Sequence, residues 1–151
     1  MRALHRPPAL RAALATIVVA VAVMLAACGD SAERERGRRL FAGELPAAGH
    51  IKGHSEALPT DASRCSNCHT ARGAAASAPT TAFGPALSRA TLLASVSRRG
   101  GPPSRFDESK LCRLLRTGID PVSIVVAQSM PLYDLPDENC HALWTYLTQA
   151  D

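Results

Sequence analysis

An all-α fold is predicted by three features of the chain. Four segments carry apolar residues at helical spacing, no run sustains the alternation a strand needs, and Gly and Pro fall between the periodic segments. The first segment, 33–42, opens on the mixed charges of Glu33, Arg34, Glu35 and Arg36, a solvated helix face, and closes on Leu40 and Phe41. The second covers 88–98. The third, 107–117, begins at Asp107, whose carboxylate suits an N-cap. It carries Leu111, Leu114 and Leu115 on its inward face and stops at Gly118. The fourth, 136–149, has Pro136 in its first turn and Asp137 and Glu138 at the positive end of the helix dipole. Cys140, Leu143, Trp144 and Leu147 form its i, i+3, i+4, i+7 stripe. Gly37 and Phe41 are expected against that stripe, with Gly37 permitting close crossing of the two helices.

The 151 residues, 46% hydrophobic and 20% charged, suit one compact domain and exclude a disordered or collagen-like polymer. Positions 12–27 are apolar except for Thr16 and follow Arg2, Arg6 and Arg11, the layout of a secretory signal. Sixteen residues fall short of the roughly 20 that a membrane-spanning helix requires. Without positions 1–27 the chain keeps 124 residues, with 14 basic against 13 acidic and a net charge of +1. Its Arg residues are scattered or paired with acids, and no basic face with aromatic platforms remains for nucleic acid.

Cys65-Ser66-Asn67-Cys68-His69 is C-x-x-C-H, the attachment sequence of a c-type haem. Two residues between the cysteines put both sulfurs on one side of a single turn, matching two vinyl groups on one macrocycle edge. The next residue then offers an imidazole to the iron. Two other readings compete. A thioredoxin-like dithiol wants a preceding strand, but Ala57 to Arg64 has no β-branched run and contains Pro59. A zinc site wants a second Cys/His pair of matching spacing, and Cys140-His141 is only an adjacent pair. With Met1 and Met24 in the signal, Met130 is the remaining thioether, in a loop just before the last helix, where no apolar face is expected for it to join. A soft sulfur donor there favours ferrous iron and raises the reduction potential.

With these residues in view, the chain resembles class I single-haem cytochromes c of bacterial type. The likeness runs through Gly37-Arg38-Arg39-Leu40-Phe41, Cys65 to His69, Phe83-Gly84-Pro85-Ala86-Leu87, Leu115-Arg116-Thr117-Gly118, Met130-Pro131 and Leu143-Trp144-Thr145-Tyr146-Leu147. It implies a cytochrome c fold of about four helices around one covalent haem c, bound through Cys65 and Cys68 and ligated by His69 and Met130. The Pro85 carbonyl would accept the other ring N–H of His69. Leu25-Ala26-Ala27-Cys28 resembles the lipobox of bacterial lipoproteins, which implies a diacylglyceryl thioether on Cys28 and tethering to the periplasmic side of a membrane.

The organisation expected is therefore a signal peptide over 1–27, a tether and helix start over 28–36, and a cytochrome c domain over 37–151. The function implied is one-electron transfer between redox proteins, an upstream dehydrogenase or quinol-oxidising complex and a downstream oxidase or reductase, with no catalysis of its own. A haem-based sensor with a labile distal ligand, and a haem subunit of a larger dehydrogenase, are the alternatives. An oxidising compartment makes a Cys112–Cys140 disulfide the expectation, one cysteine lying on each of two predicted helices.

Two departures from the family pattern stand out. Phe41 and Cys65 are separated by 23 residues, an insert over 42–64 carrying His50 and His54, both rivals of Met130 as sixth ligand, with His141 a weaker one. Arg98-Arg99-Gly100-Gly101-Pro102-Pro103 is a turn-rich link, a helix end and loop or an approach to the haem edge or a partner. Arg116 is a candidate haem-propionate partner from its Arg-Thr-Gly setting.

Overall fold

Helix α1 is set by a close approach. It covers residues 33–42, and at Gly37 any Cβ would fall 2.0 Å from the Ala142 carbonyl oxygen, so the two backbones touch where glycine allows it. A computed structural model describes residues 29–70 and 84–149. The chain divides into two units, Met1–Ala32 and Glu33–Asp151. Of the first, residues 29–32 are described and are helical. The signal sequence, Cys28 and Phe83 lie outside the described residues.

Among the described residues the second unit holds α1, α2 (Arg89–Leu93), α3 (Glu108–Thr117) and α4 (Asp137–Thr148), a 3₁₀ turn at Cys65–Asn67, and two short strands, β1 (Gly49–His50) and β2 (Leu132–Tyr133). No described helix is long and apolar enough to cross a membrane. Phe41 packs its ring 5.7 Å from that of Tyr146, and Leu40, Phe41, Leu111, Leu114, Leu115, Cys140, Leu143 and Leu147 form one buried cluster. Each such aliphatic or aromatic side chain contributes about 1.5–3 kcal/mol by leaving water. Trp144, expected on the buried stripe, is half-buried at its edge. The charged start of α1 is solvated only in part: Glu35 and Arg36 are exposed while Glu33 and Arg34 are half-buried, and Arg38 bonds Glu35 at 2.9 Å and Glu44 at 2.7 Å.

Helix α3 matches its sequence signals. The Asp107 carboxylate accepts the Lys110 N–H at 2.9 Å, and Gly118 ends the helix at φ +69°, a left-handed conformation that glycine adopts without steric cost. The Lys110 contacts hold the Asp107 carboxyl down, to about 2. A carboxyl lowered in the folded state stabilises the fold above its unfolded value near ~4, and that contribution is lost as pH falls through the folded value. Asp107→Ala is expected to cost about 1 kcal/mol at neutral pH, with the difference from wild type shrinking between about pH 4 and pH 2 in acid-titrated melts.

Two expectations need correction. The helix predicted over 88–98 stops at Leu93 because Ser95 to Arg105 turns back on itself: Val96 bridges Ser104, with Arg99 and Gly100 at positive φ. Arg98 closes this hairpin, donating to the carbonyls of Ser104, Thr91 and Ala94 and lying 5.0 Å from the Phe106 ring centroid. The link over 98–103 is thus a pinned turn. The absence of strands is the second correction: β1 and β2 pair antiparallel, Gly49 opposite Tyr133 and His50 opposite Leu132. Two-residue strands are too short to leave a period in the sequence.

Candidate functional site

The C-x-x-C-H residues fold as one turn. Cys68 and His69 both return their N–H groups to the Cys65 carbonyl, at 3.2 and 2.9 Å, and Asn67 Nδ2 donates to the Asp61 carbonyl at 2.7 Å. Beyond the turn, Gly84 N–H donates to the Cys68 carbonyl at 2.8 Å, which brings residues 84–87 alongside. Cys65 and Cys68 are free thiols. Burial pushes the Cys65 thiol up, to about 11, against a smaller opposing effect of a hydrogen bond with Tyr133, so at neutral pH it is protonated.

His69 is held on two sides. Its Nδ1 lies 2.8 Å from the Pro85 carbonyl oxygen, and because a carbonyl only accepts, Nδ1 carries a proton, which in the neutral ring leaves the lone pair on Nε2. Gly84 lies against the ring: a Cβ there would fall 2.3 to 2.9 Å from Cε1, Nδ1 and Nε2. The imidazole is therefore oriented, with one nitrogen committed to the chain and the other available to a metal. Among the described residues no three His, Cys, Asp or Glu side chains converge on one point.

Met130 is half-buried and packs on the core cluster, as do Cys65, Leu87 and Val126. This corrects the expectation that its loop offers no apolar surface to join; the surface comes from elements distant in sequence. Asp120, passed over in the sequence, orders the turn that follows Gly118. Buried to 2% exposure, its Oδ1 accepts the Val122 and Ile124 N–H groups at 2.9 and 2.8 Å, and its carbonyl accepts from Arg113 at 2.6 Å. The Asp-Pro pair after Gly118 is the turn signal that marks it. Tyr133, Ser63 and Gly84 were likewise not singled out for these contacts, which join parts of the chain that no local pattern connects.

Three other histidines are described, and the first of them is paired two residues from Met130. His50 lies in β1 opposite Leu132, His54 is exposed in the turn that follows, and His141 Nδ1 meets the Glu108 carboxylate at 3.2 Å, tying α4 to α3. Arg116 spends its guanidinium on the Leu135 carbonyl and on Asp137 at 2.6 Å, securing the start of α4 rather than reaching toward a propionate. An open hollow of about 600 Å³ lined by Glu108, Cys112, Arg113, Arg116 and Asp137 contains none of the candidate ligands.

Cys112 and Cys140 meet across the α3–α4 interface as two buried thiols close enough to hydrogen-bond, and the expected bridge is not formed in this structure. Closing it removes two protons and two electrons to an external oxidant. In protein purified from an oxidising compartment, alkylation without reductant is expected to label neither sulfur, and the bond would stabilise the fold by roughly 3–4 kcal/mol. Two labelled sulfurs would leave them as separate core thiols.

No protein-family model matches the chain, and neither does any curated protein or solved structure.

Proposed function

We propose that the chain is a one-electron carrier holding a single haem c, attached at Cys65 and Cys68 and ligated by His69 and Met130 in a cytochrome c type of fold. The observation that carries this reading is the state of His69. It sits in a C-x-x-C-H turn with Nδ1 given to the Pro85 carbonyl and its ring laid against Gly84. When bound, the group supplies an iron that alternates between ferric and ferrous states.

The chain's residues do the rest. The Cys65 and Cys68 thiols form the covalent links, and the single turn between them fixes which edge of the group is held. The Pro85 carbonyl fixes the tautomer and orientation of His69 and raises the basicity of Nε2. Met130 supplies a thioether, and the apolar core cluster on which it packs favours the less charged ferrous form. No acid/base pair is invoked, and the role is not catalytic.

On this reading Cys28 carries the lipid anchor, the domain sits on the periplasmic side of a bacterial membrane, and its partners are redox proteins met through small transient contacts. A net charge of +1 for residues 28–151 calls for weak salt dependence of those encounters. The test is the purified exported protein. A mass increment of one haem that survives denaturation, with a reversible one-electron titration and no carbon monoxide uptake by the ferrous form, supports the carrier. Covalent haem with ready carbon monoxide uptake moves the reading to a sensor, and absence of covalent haem refutes it.

A further inference from the structure

We propose that residues 43–64 are a clamp that holds the Met130 loop in place against the C-x-x-C-H turn. This rests on the haem reading above and assigns a role to the inserted segment. The segment is built from paired backbone. Gly49–His50 runs between two neighbours: β2 on one side, and on the other Ala57, which bridges His50, and Leu58, whose N–H donates to the Gly49 carbonyl at 2.7 Å. Asp134 N–H donates to the Ala48 carbonyl at 3.0 Å and lengthens the ladder to β2. That ladder begins two residues after Met130.

A second tie closes the circuit. The buried Tyr133 hydroxyl donates to the Ser63 carbonyl at 2.8 Å, two residues before Cys65. Ser63 is itself 5% exposed, and its hydroxyl donates to the Thr60 carbonyl at 3.2 Å. Gly49 sits at the junction, where a Cβ would fall 3.2 Å from the Tyr133 ring and 3.3 Å from Ser63 Cβ. The distal loop is thus fastened to the residues that precede the haem-attachment motif, with the insert as the fastening.

The need for it is visible on the other side of Met130. Ala127, Gln128 and Ser129 are exposed, and Met130 N–H makes a local turn bond to the Ala127 carbonyl at 3.0 Å. A ligand supplied by a loop competes with outside ligands through its effective concentration, which falls as the loop loosens. Tyr133, Ser63 and Gly49 are therefore positioning residues for Met130. Weakening them should favour foreign ligands without disturbing attachment at Cys65 and Cys68.

The experiment titrates the haem-loaded ferric full chain with imidazole, reading the optical spectrum, for wild type, Tyr133→Phe, Gly49→Val and the control Asp107→Ala. Tyr133→Phe removes one buried hydrogen bond and keeps the ring, so imidazole should bind roughly three- to ten-fold more tightly. Gly49→Val, which wedges the junction, should go further. The control lowers the melting temperature while leaving imidazole affinity at the wild-type value, and haem per chain stays the same throughout. Wild-type affinity in both junction variants, or an equal gain in the control, overturns the clamp and leaves the haem reading standing. A wild-type protein without the far-red band of thioether-ligated ferric iron overturns the Met130 reading and the clamp with it.

Discussion

Replacing Cys65 and Cys68 together by alanine is expected to yield a chain without haem and without a cooperative melt. Aromatic residues make up only 4% of the sequence, and among the described residues the buried aromatics are Phe41, Phe106 and Tyr133. The core between α1, α3 and α4 is otherwise leucine, cysteine and alanine. On the haem reading, the attached porphyrin covers apolar surface around Cys65 and Met130, both half-buried, and without it that area returns to water at about 25 cal/mol per Å². A domain of this size is held by a margin of only ~5–15 kcal/mol, so losing a buried group as large as a porphyrin removes much of it. Far-ultraviolet circular dichroism through a thermal melt checks the expectation. Full helical signal with a sharp transition in the haem-free chain would show that α1, α3 and α4 suffice alone.

Met130→Ala has the second large effect, on function rather than folding. Met130 lies in a loop between Asp120 and β2 and is only half-buried against the core, so truncating it costs about 1–2 kcal/mol of stability. At the iron the consequence is much larger. An iron whose two positions outside the porphyrin are closed by His69 and Met130 would become one with an open position, and the ferrous protein is expected to take up carbon monoxide stoichiometrically where wild type takes up none. The reduction potential falls as the thioether is lost. His50, His54 or His141 as the true sixth ligand would leave Met130→Ala closed to carbon monoxide with an unchanged potential.

Much of the architecture could be read from local chemistry. Asp107 and Gly118 bracket α3 through a cap and a left-handed stop, and Gly37 with Phe41 meets α4, because each signal is written in a few neighbouring residues or in one helical period. The His69–Pro85 contact was named in the sequence from a family resemblance and is present at 2.8 Å. What escaped depends on residues far apart in the chain. Helix α2 ends early because Arg98 bonds back to Thr91 and Ala94, a tertiary contact that overrides the apolar period. The β1–β2 pairing joins positions more than eighty residues apart through strands of two residues. Arg116 was read as facing a propionate from its tripeptide setting, whereas Asp137 and the Leu135 carbonyl claim it.

The insert shows the same limit most clearly. Its Gly and Pro residues announced a loop, and its histidines drew attention as ligands. The contacts that give it a task are backbone bonds to β2 and the Tyr133–Ser63 hydrogen bond, none of which depends on an unusual side chain in the insert itself. Register between distant strands is a property of the assembled fold.

The most direct test of the account is an optical spectrum of the purified full-length protein, ferric and then reduced with dithionite. The account predicts the sharp reduced bands of a low-spin c-type haem, together with the weak far-red ferric band of thioether ligation, absent from Met130→Ala. A protein with no haem absorbance, or with a haem spectrum lacking the far-red band, would contradict it.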